Sequence, residues 1–241
     1  MINVIRTKDY EEASEKAFEV MKDYLRPGKV LGLATGSTPL GLYARMVKDF
    51  QENGTSYKEI CSFNLDEYVG LPISHPESYY AFMHRNLFDH IDIPEENTHV
   101  PSGLGEDLEA QAKHYDEMID ACPVDIQLLG IGSDGHIAFN EPGTPFDSGT
   151  HVTDLAESTI RDNCRFFDND ISKVPTQAVT QGIGTIMKAK AILLIATGSN
   201  KAQAVKDMLE GPIDVSCPAS VLRNHPNVTV IVDEGAAALL D

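Results

Sequence analysis

Short apolar runs that end in loops of Gly, Ser, Thr and Asp alternate along this chain with segments of 3.6-residue hydrophobic period, an alternation that leaves few folds open. Continuous apolar runs suit strands covered on both faces, and amphipathic segments between them supply the crossovers of a parallel sheet. The pattern predicts an α/β fold: an open, mostly parallel sheet with helices on both faces. Strands are expected at Ile2–Ile5, Val30–Ala34, Cys61–Leu65, Asp125–Leu129, Ala191–Ala196 and Val228–Val232. Tyr10, Ala13, Ala17, Val20, Met21 and Tyr24 stripe a first helix, opened by Asp9 and ended by Pro27-Gly28. Leu40, Tyr43, Met46, Val47 and Phe50 stripe a second, and further helices are expected near 78–88, 107–120, 200–209 and 235–240. No linker-like shift in composition interrupts the 241 residues, so 1–241 reads as one domain.

Charge narrows the partners. Lys and Arg number 19 against 37 Asp and Glu, a net charge of −18 that repels phosphate backbones and anionic lipid at long range. Nucleic acid and membrane surfaces are therefore not expected as partners. The longest purely apolar run, Ala191–Ala196, is far short of a bilayer span. Cys61, Cys122, Cys164 and Cys217 contain no CxxC pair, and Lys8 and Asp9 arrive before any signal-like hydrophobic region. A reduced, cytoplasmic protein is the expectation.

In open α/β sheets ligands bind beyond the carboxyl ends of the strands, so the loops after the strands carry the functional argument. Ala34-Thr-Gly-Ser-Thr-Pro39 joins a strand to a helix and offers small residues, hydroxyls and unpaired amides to an anion, or a plain N-cap and turn. Ala196-Thr-Gly-Ser199 repeats it and is followed by Lys201, as a second wall of one pocket or by coincidence. Asn64-Leu-Asp-Glu-Tyr68 places Asp66 and Glu67 directly after a strand, where partial burial and mutual repulsion would make a carboxylate a base near neutral pH; an N-cap is the alternative.

The segment Gly130–Pro142 contains a literal GxGxxG, but Pro142 and Gly143 leave no room for the helix that a dinucleotide fingerprint opens, and Asp134 would face the pyrophosphate. What remains is His136 with Asp134 and Glu141 close by in sequence, carboxylates that can fix an imidazole's tautomer and raise its basicity. A metal site would need further ligands, and His75, His84, His90, His99 and His114 supply no HxH or HxxxH companion. A hydrogen-bonded polar turn stays open as well. Arg161–Asp170 sets Arg165 beside Phe166 and Phe167, suited to gripping phosphate or to packing locally.

Asn64–Pro72, His75-Pro-Glu-Ser-Tyr-Tyr80, Gly135-His-Ile-Ala-Phe-Asn-Glu-Pro142 and Arg165–Asp170 together resemble the glucosamine-6-phosphate deaminase family. The resemblance runs from the second strand to the last and implies a Rossmann-like fold that converts D-glucosamine 6-phosphate and water into D-fructose 6-phosphate and ammonia. It implies no metal and no organic cofactor. Residue by residue, it makes Asp66 the base that moves a proton from C2 to C1 and His136 the ring opener, with Asp134 and Glu141 as its partners. It assigns the phosphate to Gly36, Ser37, Thr38, Arg165 and Lys201, with a mobile lid expected around 157–180.

Longer, allosterically activated members carry basic side chains after the Glu141 motif, whereas Thr144–Thr153 contains no Lys or Arg and the chain stops at Asp241. A monomer or small homo-oligomer, not activated by N-acetylglucosamine 6-phosphate, is the expectation. A 6-phosphogluconolactonase-like hydrolase and a non-catalytic sugar-phosphate sensor are the rival functions. The first needs no C2 base and the second needs neither Asp66 nor His136.

Overall fold

The computed structural model describes residues 2–241. Along the chain run β1 (Asn3–Thr7), α1 (Tyr10–Lys22), β2 (Val30–Leu33), α2 (Leu40–Asn53), β3 (Cys61–Asn64), β4 (Asp66–Tyr68), α3 (Tyr79–Asn86), β5 (Thr98–His99) and α4 (Leu108–Ala121). There follow β6 (Ile126–Leu129), β7 (His151–Asp154), α5 (Glu157–Asn163), β8 (Gln177–Thr180), α6 (Ile183–Ile186), β9 (Ile192–Ala196), α7 (Ala202–Glu210) and β10 (Val228–Asp233). Seven strands form an all-parallel sheet in the order β1-β10-β9-β6-β2-β3-β5. Every residue of β2, β6 and β9 is buried. Successive side chains of a strand point to opposite faces, so both faces of this sheet are covered, as the unbroken apolar runs require.

The topology fixes where a ligand can sit. From β2 the chain builds outward through β3 and β5, then returns to lay β6 on the other side of β2 and continues to β9 and β10. The order therefore reverses between β2 and β6, and the loops that leave their carboxyl ends diverge around a crevice. Those are the loops beginning at Ala34 and at Gly130.

A second sheet, absent from the sequence expectation, completes the crevice. It is antiparallel, ordered β4-β8-β7, with Asp66 opposite Thr180. Leu65 is the hinge between the sheets: its amide donates to the Leu33 carbonyl at 3.1 Å, and its own carbonyl accepts from the Gln181 amide at 2.7 Å. The Gln181 side-chain amide donates to the Asn64 carbonyl (3.0 Å), and the Asn140 carboxamide donates to the carbonyls of Gln181 (2.8 Å) and Ile137 (3.0 Å). These buried amides bind the end of β3, the end of β8 and the loop after β6 into one piece.

Two boundaries differ from the sequence reading. Residues 235–240 form turns, not a helix. The Asp233 carboxylate accepts the Ala236 amide and its carbonyl the Ala237 amide, as at a helix start, but the bonds that follow, Ala238 to Gly235 and Leu240 to Ala237, span three residues, so the stretch makes successive turns and no α-helical ladder. The helix expected near 78–88 ends at Asn86 and passes into a short 3-10 turn, Phe88–His90. Among the described residues no helix is long and apolar enough to cross a membrane.

Replacing Asn140 with Leu removes the side-chain donor to the buried Gln181 carbonyl, while the Ile137 carbonyl keeps the backbone amide of residue 140 at 3.1 Å. The expected cost is about 2 kcal/mol of unfolding free energy, read from urea denaturation.

Candidate active site

The three residues of β4 are all buried, and the alternation of the strand sends Glu67 to one face and Asp66 and Tyr68 to the other. Glu67 turns toward α3, where one carboxylate oxygen accepts the amides of Tyr68 (2.8 Å) and Tyr79 (3.0 Å) and the other accepts that of Tyr80 (3.0 Å). It is a cap on a helix start, satisfying donors that have no intrahelical partner. Tyr68 packs against Tyr79, Phe139 and Phe167. Asp66 lines the crevice and accepts no hydrogen bond from a described residue, although only 6% of it is exposed. Burial pushes its carboxyl up to about 8, the charge of Glu67 adds to the rise, and His136 pulls the other way. Of the two adjacent carboxylates in the sequence, Glu67 is taken up by backbone amides and Asp66 is left facing the cleft.

His136 sits on the turn after β6. Its Nδ1 lies 2.8 Å from Asp134 Oδ1 and 3.3 Å from Glu141 Oε2, an ion-pair contact shared by two carboxylates, with neither in line for a linear hydrogen bond. Burial opposes the charged imidazole, yet the two carboxylates outweigh it and hold His136 at about 9. The same contact with His136 pulls Asp134 well below the usual carboxylate range. With Nδ1 engaged behind, Nε2 is the nitrogen left for a ligand. The imidazole occupies space that only glycine leaves free: a Cβ on Gly132 would lie 2.4 Å from its ring.

The donor atoms of Asp134, His136 and Glu141 fall within 4.8 Å of one another, close enough to enclose a cation. Two of the oxygens are already engaged, however: Thr159 Oγ1 donates to Glu141 Oε1 at 2.7 Å, and the His136 amide donates to Asp134 Oδ1 at 3.2 Å. An imidazolium between two anions accounts for the cluster.

The opposite wall is the loop from Ala34 to Pro39. Gly36 takes φ +86°, a conformation that favours glycine, and the amides of Gly36, Ser37 and Thr38 donate to no described residue. The Tyr10 hydroxyl donates to the carbonyls of Ser37 (3.0 Å) and Thr38 (3.2 Å) and accepts the Gly41 amide (2.8 Å), fixing the loop from behind. Gly36 and Thr38 line the cleft, Ser37 does not. Lys201 and Arg165 reach the cleft from two further directions, and neither forms an ion pair with a described carboxylate. Burial lowers Lys201, against the pull of Asp162 and Asp134.

Asp66, His136, Arg165, Lys201 and the Gly36–Thr38 loop thus share one cleft of about 200 Å³, while Asp134 and Glu141 stand behind His136 outside it. A larger groove of about 650 Å³ beside β1, lined by Ile2, Val4, Leu209 and Leu240 among others, holds none of these groups.

The second ATGS loop is not a second anion cradle. β6 separates β9 from β2, and the Gly198 amide is taken by both oxygens of Asp233 at 3.0 Å. Only Lys201 from that loop enters the cleft. Both phenylalanines pack locally: Phe167 is buried against Tyr68 and stacks on His75, and Phe166 lies under the Arg165 guanidinium. Sequence reasoning passed over Tyr79 and three residues of α5, Thr159, Asp162 and Asn163, that line the cleft. Their i, i+3, i+4 spacing on one helix face was the available signal.

The chain matches a family model described as glucosamine-6-phosphate isomerases/6-phosphogluconolactonase over residues 10–231. It is 53% identical to a glucosamine-6-phosphate deaminase of Streptococcus uberis over 241 residues, covering the whole of both chains. A monomeric glucosamine-6-phosphate deaminase of known structure superposes with a TM-score of 0.96 at 44% identity, over 98% of this chain and 99% of that one. A 6-phosphogluconolactonase from Trypanosoma cruzi shares the fold, with a TM-score of 0.80 at 22% identity over 100% of this chain and 97% of its own.

Asp66 holds its proton more tightly folded than unfolded. The native chain should therefore lose stability relative to an Asp66→Asn variant as pH rises from the ordinary 3.8 toward about 8, with no further loss above that. Thermal melts across this range are expected to show the variant gaining roughly 3 °C or more, about what 1 kcal/mol produces in a chain of this size. Equal melting temperatures at every pH would refute the burial argument.

Proposed function

The chain belongs to the glucosamine-6-phosphate isomerase/6-phosphogluconolactonase family, and from that premise we propose that it is a glucosamine-6-phosphate deaminase, converting D-glucosamine 6-phosphate and water into D-fructose 6-phosphate and ammonia. The observation that carries the reading is the pair in one cleft, a buried carboxyl at position 66 pushed up to about 8 and an imidazole at 136 pushed up to about 9 by its two carboxylates.

The reaction needs two acid–base events. In the first, Nε2 of His136 gives its proton to the ring oxygen as the C1–O5 bond breaks, then recovers the C1 hydroxyl proton as the aldehyde forms. Asp134 and Glu141 hold the imidazole charged and oriented. In the second, the Asp66 carboxylate takes the proton on C2, now acidic beside the carbonyl. The electron pair moves through C1 to O1, which is protonated by His136, giving an enolamine. Asp66 returns its proton to C1, the C2–nitrogen bond becomes an iminium, and water adds to it and expels ammonia. A base with an ordinary carboxyl value would abstract that proton more weakly, which is why burial of Asp66 suits the task.

The phosphate is held by the Gly36 and Thr38 side of the loop and by Arg165 and Lys201, which line the cleft; Ser37, expected among these groups, lies outside the lining. The overall charge of −18 does not forbid this, because beyond about 8 Å at physiological salt it is screened, while the two unpaired cations lie in the cleft itself. The segment 157–180 acts as a lid that draws Arg165 onto the phosphate. By its likeness to the monomeric enzyme of known structure the chain works as a monomer.

Ammonia release from glucosamine 6-phosphate, followed by a coupled assay, tests the reading and separates it from lactone hydrolysis. Asp66→Asn is expected to lower kcat by about 10³-fold with KM changed less than about threefold, the range of a lost general base, and to abolish exchange of the C2 proton with solvent deuterium. Undiminished ammonia release by this variant would overturn the mechanism.

A further inference from the structure

α5 touches the acid–base machinery at two points that the reaction scheme leaves unused. Thr159, only 6% exposed, donates from Oγ1 to Glu141 Oε1 at 2.7 Å, so that the other oxygen, Oε2, is the one turned to His136 Nδ1. One turn on, Asn163 donates to the Tyr68 hydroxyl at 2.8 Å, joining the same helix to β4, the strand that carries Asp66. Arg165, on the turn that follows α5, reaches the cleft. A carboxylate held by a single ion-pair contact can rotate about its terminal torsion at little cost. Glu141 is stopped from doing so by a hydroxyl on another element.

We propose that Thr159 is a positioning residue for the proton transfers at His136: it locks the Glu141 carboxylate from α5, so that the imidazole is correctly held only when the helix leading to Arg165 is in place. This rests on the deaminase reading and extends it, because grip on the phosphate and readiness of the ring opener then share one helix. The groups facing His136 are Asp134 and Glu141 from its own loop and Asp66 from β4, with Lys201 near Asp134. Thr159 touches none of the reacting atoms and acts through Glu141 alone.

Val keeps the shape of Thr159 and loses its donor, and Ser keeps the donor and loses the methyl. The three proteins are compared by ¹⁵N NMR of histidine-labelled enzyme across pH, with the His136 signals assigned from a His136→Gln variant, and by steady-state kinetics. Thr159→Val is expected to lower the His136 midpoint by about half a pH unit or more, as the loosened carboxylate supports the imidazolium less. Its kcat should fall about tenfold with KM within about twofold, and Thr159→Ser should stay within about threefold of the native enzyme in kcat. An unmoved His136 midpoint in Thr159→Val, or a Ser variant as impaired as the Val variant, overturns the proposal. A native enzyme that releases no ammonia from glucosamine 6-phosphate overturns the deaminase reading instead, and the NMR comparison still decides whether Thr159 governs His136.

Discussion

One residue's backbone joins the two halves of the site. Leu65 donates to β2 of the parallel sheet and accepts from Gln181 at the end of the antiparallel one, so the chain changes sheets without a free loop between them. The next residue is Asp66. Its carboxyl is consequently held by two sheets at once, and its depth, which burial translates into a raised proton affinity, is fixed by main-chain bonds and not by a flexible side chain. The Asn140 and Gln181 carboxamides carry the same rigidity to the loop of His136. The strand of Asp66 and the loop of His136 are thereby fixed relative to one another.

Much of this was legible in advance. The parallel strands are buried on both faces and so read as unbroken apolar runs, and the crevice follows from strand order and the loops at its reversal. The antiparallel sheet was not legible, because Asp66–Tyr68, His151–Asp154 and Gln177–Thr180 are short and largely polar and carry no hydrophobic period. The composition of residues 235–240 suited a helix, but after the contacts to Asp233 the backbone bonds shorten to three-residue turns and the helix does not propagate. Within the site, Asp66 and His136 stood out by their surroundings in sequence. Thr159 did not, since nothing local distinguishes a threonine in the middle of a helix from one that grips a carboxylate eighteen residues away. The repeated ATGS tetrapeptide pointed to two equivalent walls where the structure has one, because local sequence says nothing of a carboxylate arriving from β10 to occupy the second loop's amide.

The distribution of charge has the same economy. Most lysines near the surface are matched to neighbouring carboxylates, as Lys29 and Lys190 are to Asp125 and Lys188 to Asp120. Arg165 and Lys201 are left without such partners where the cleft opens. An acidic protein can present a local positive field in this way, because these two cations act at close quarters in a partly dehydrated cleft while the distant surface charge is screened.

The splitting of Asp66 and Glu67 between a reactive cleft and a helix start depends on nothing more than the two-residue pleat of β4. A shift of one residue in its pairing with β8 would carry each side chain to the other face. Frameshifted pairing would thus not merely loosen the molecule: it would present the longer carboxylate to the sugar and leave the shorter one to reach for the amides of α3. The choice between aspartate and glutamate at these adjacent positions is in effect written in the phase of a three-residue strand.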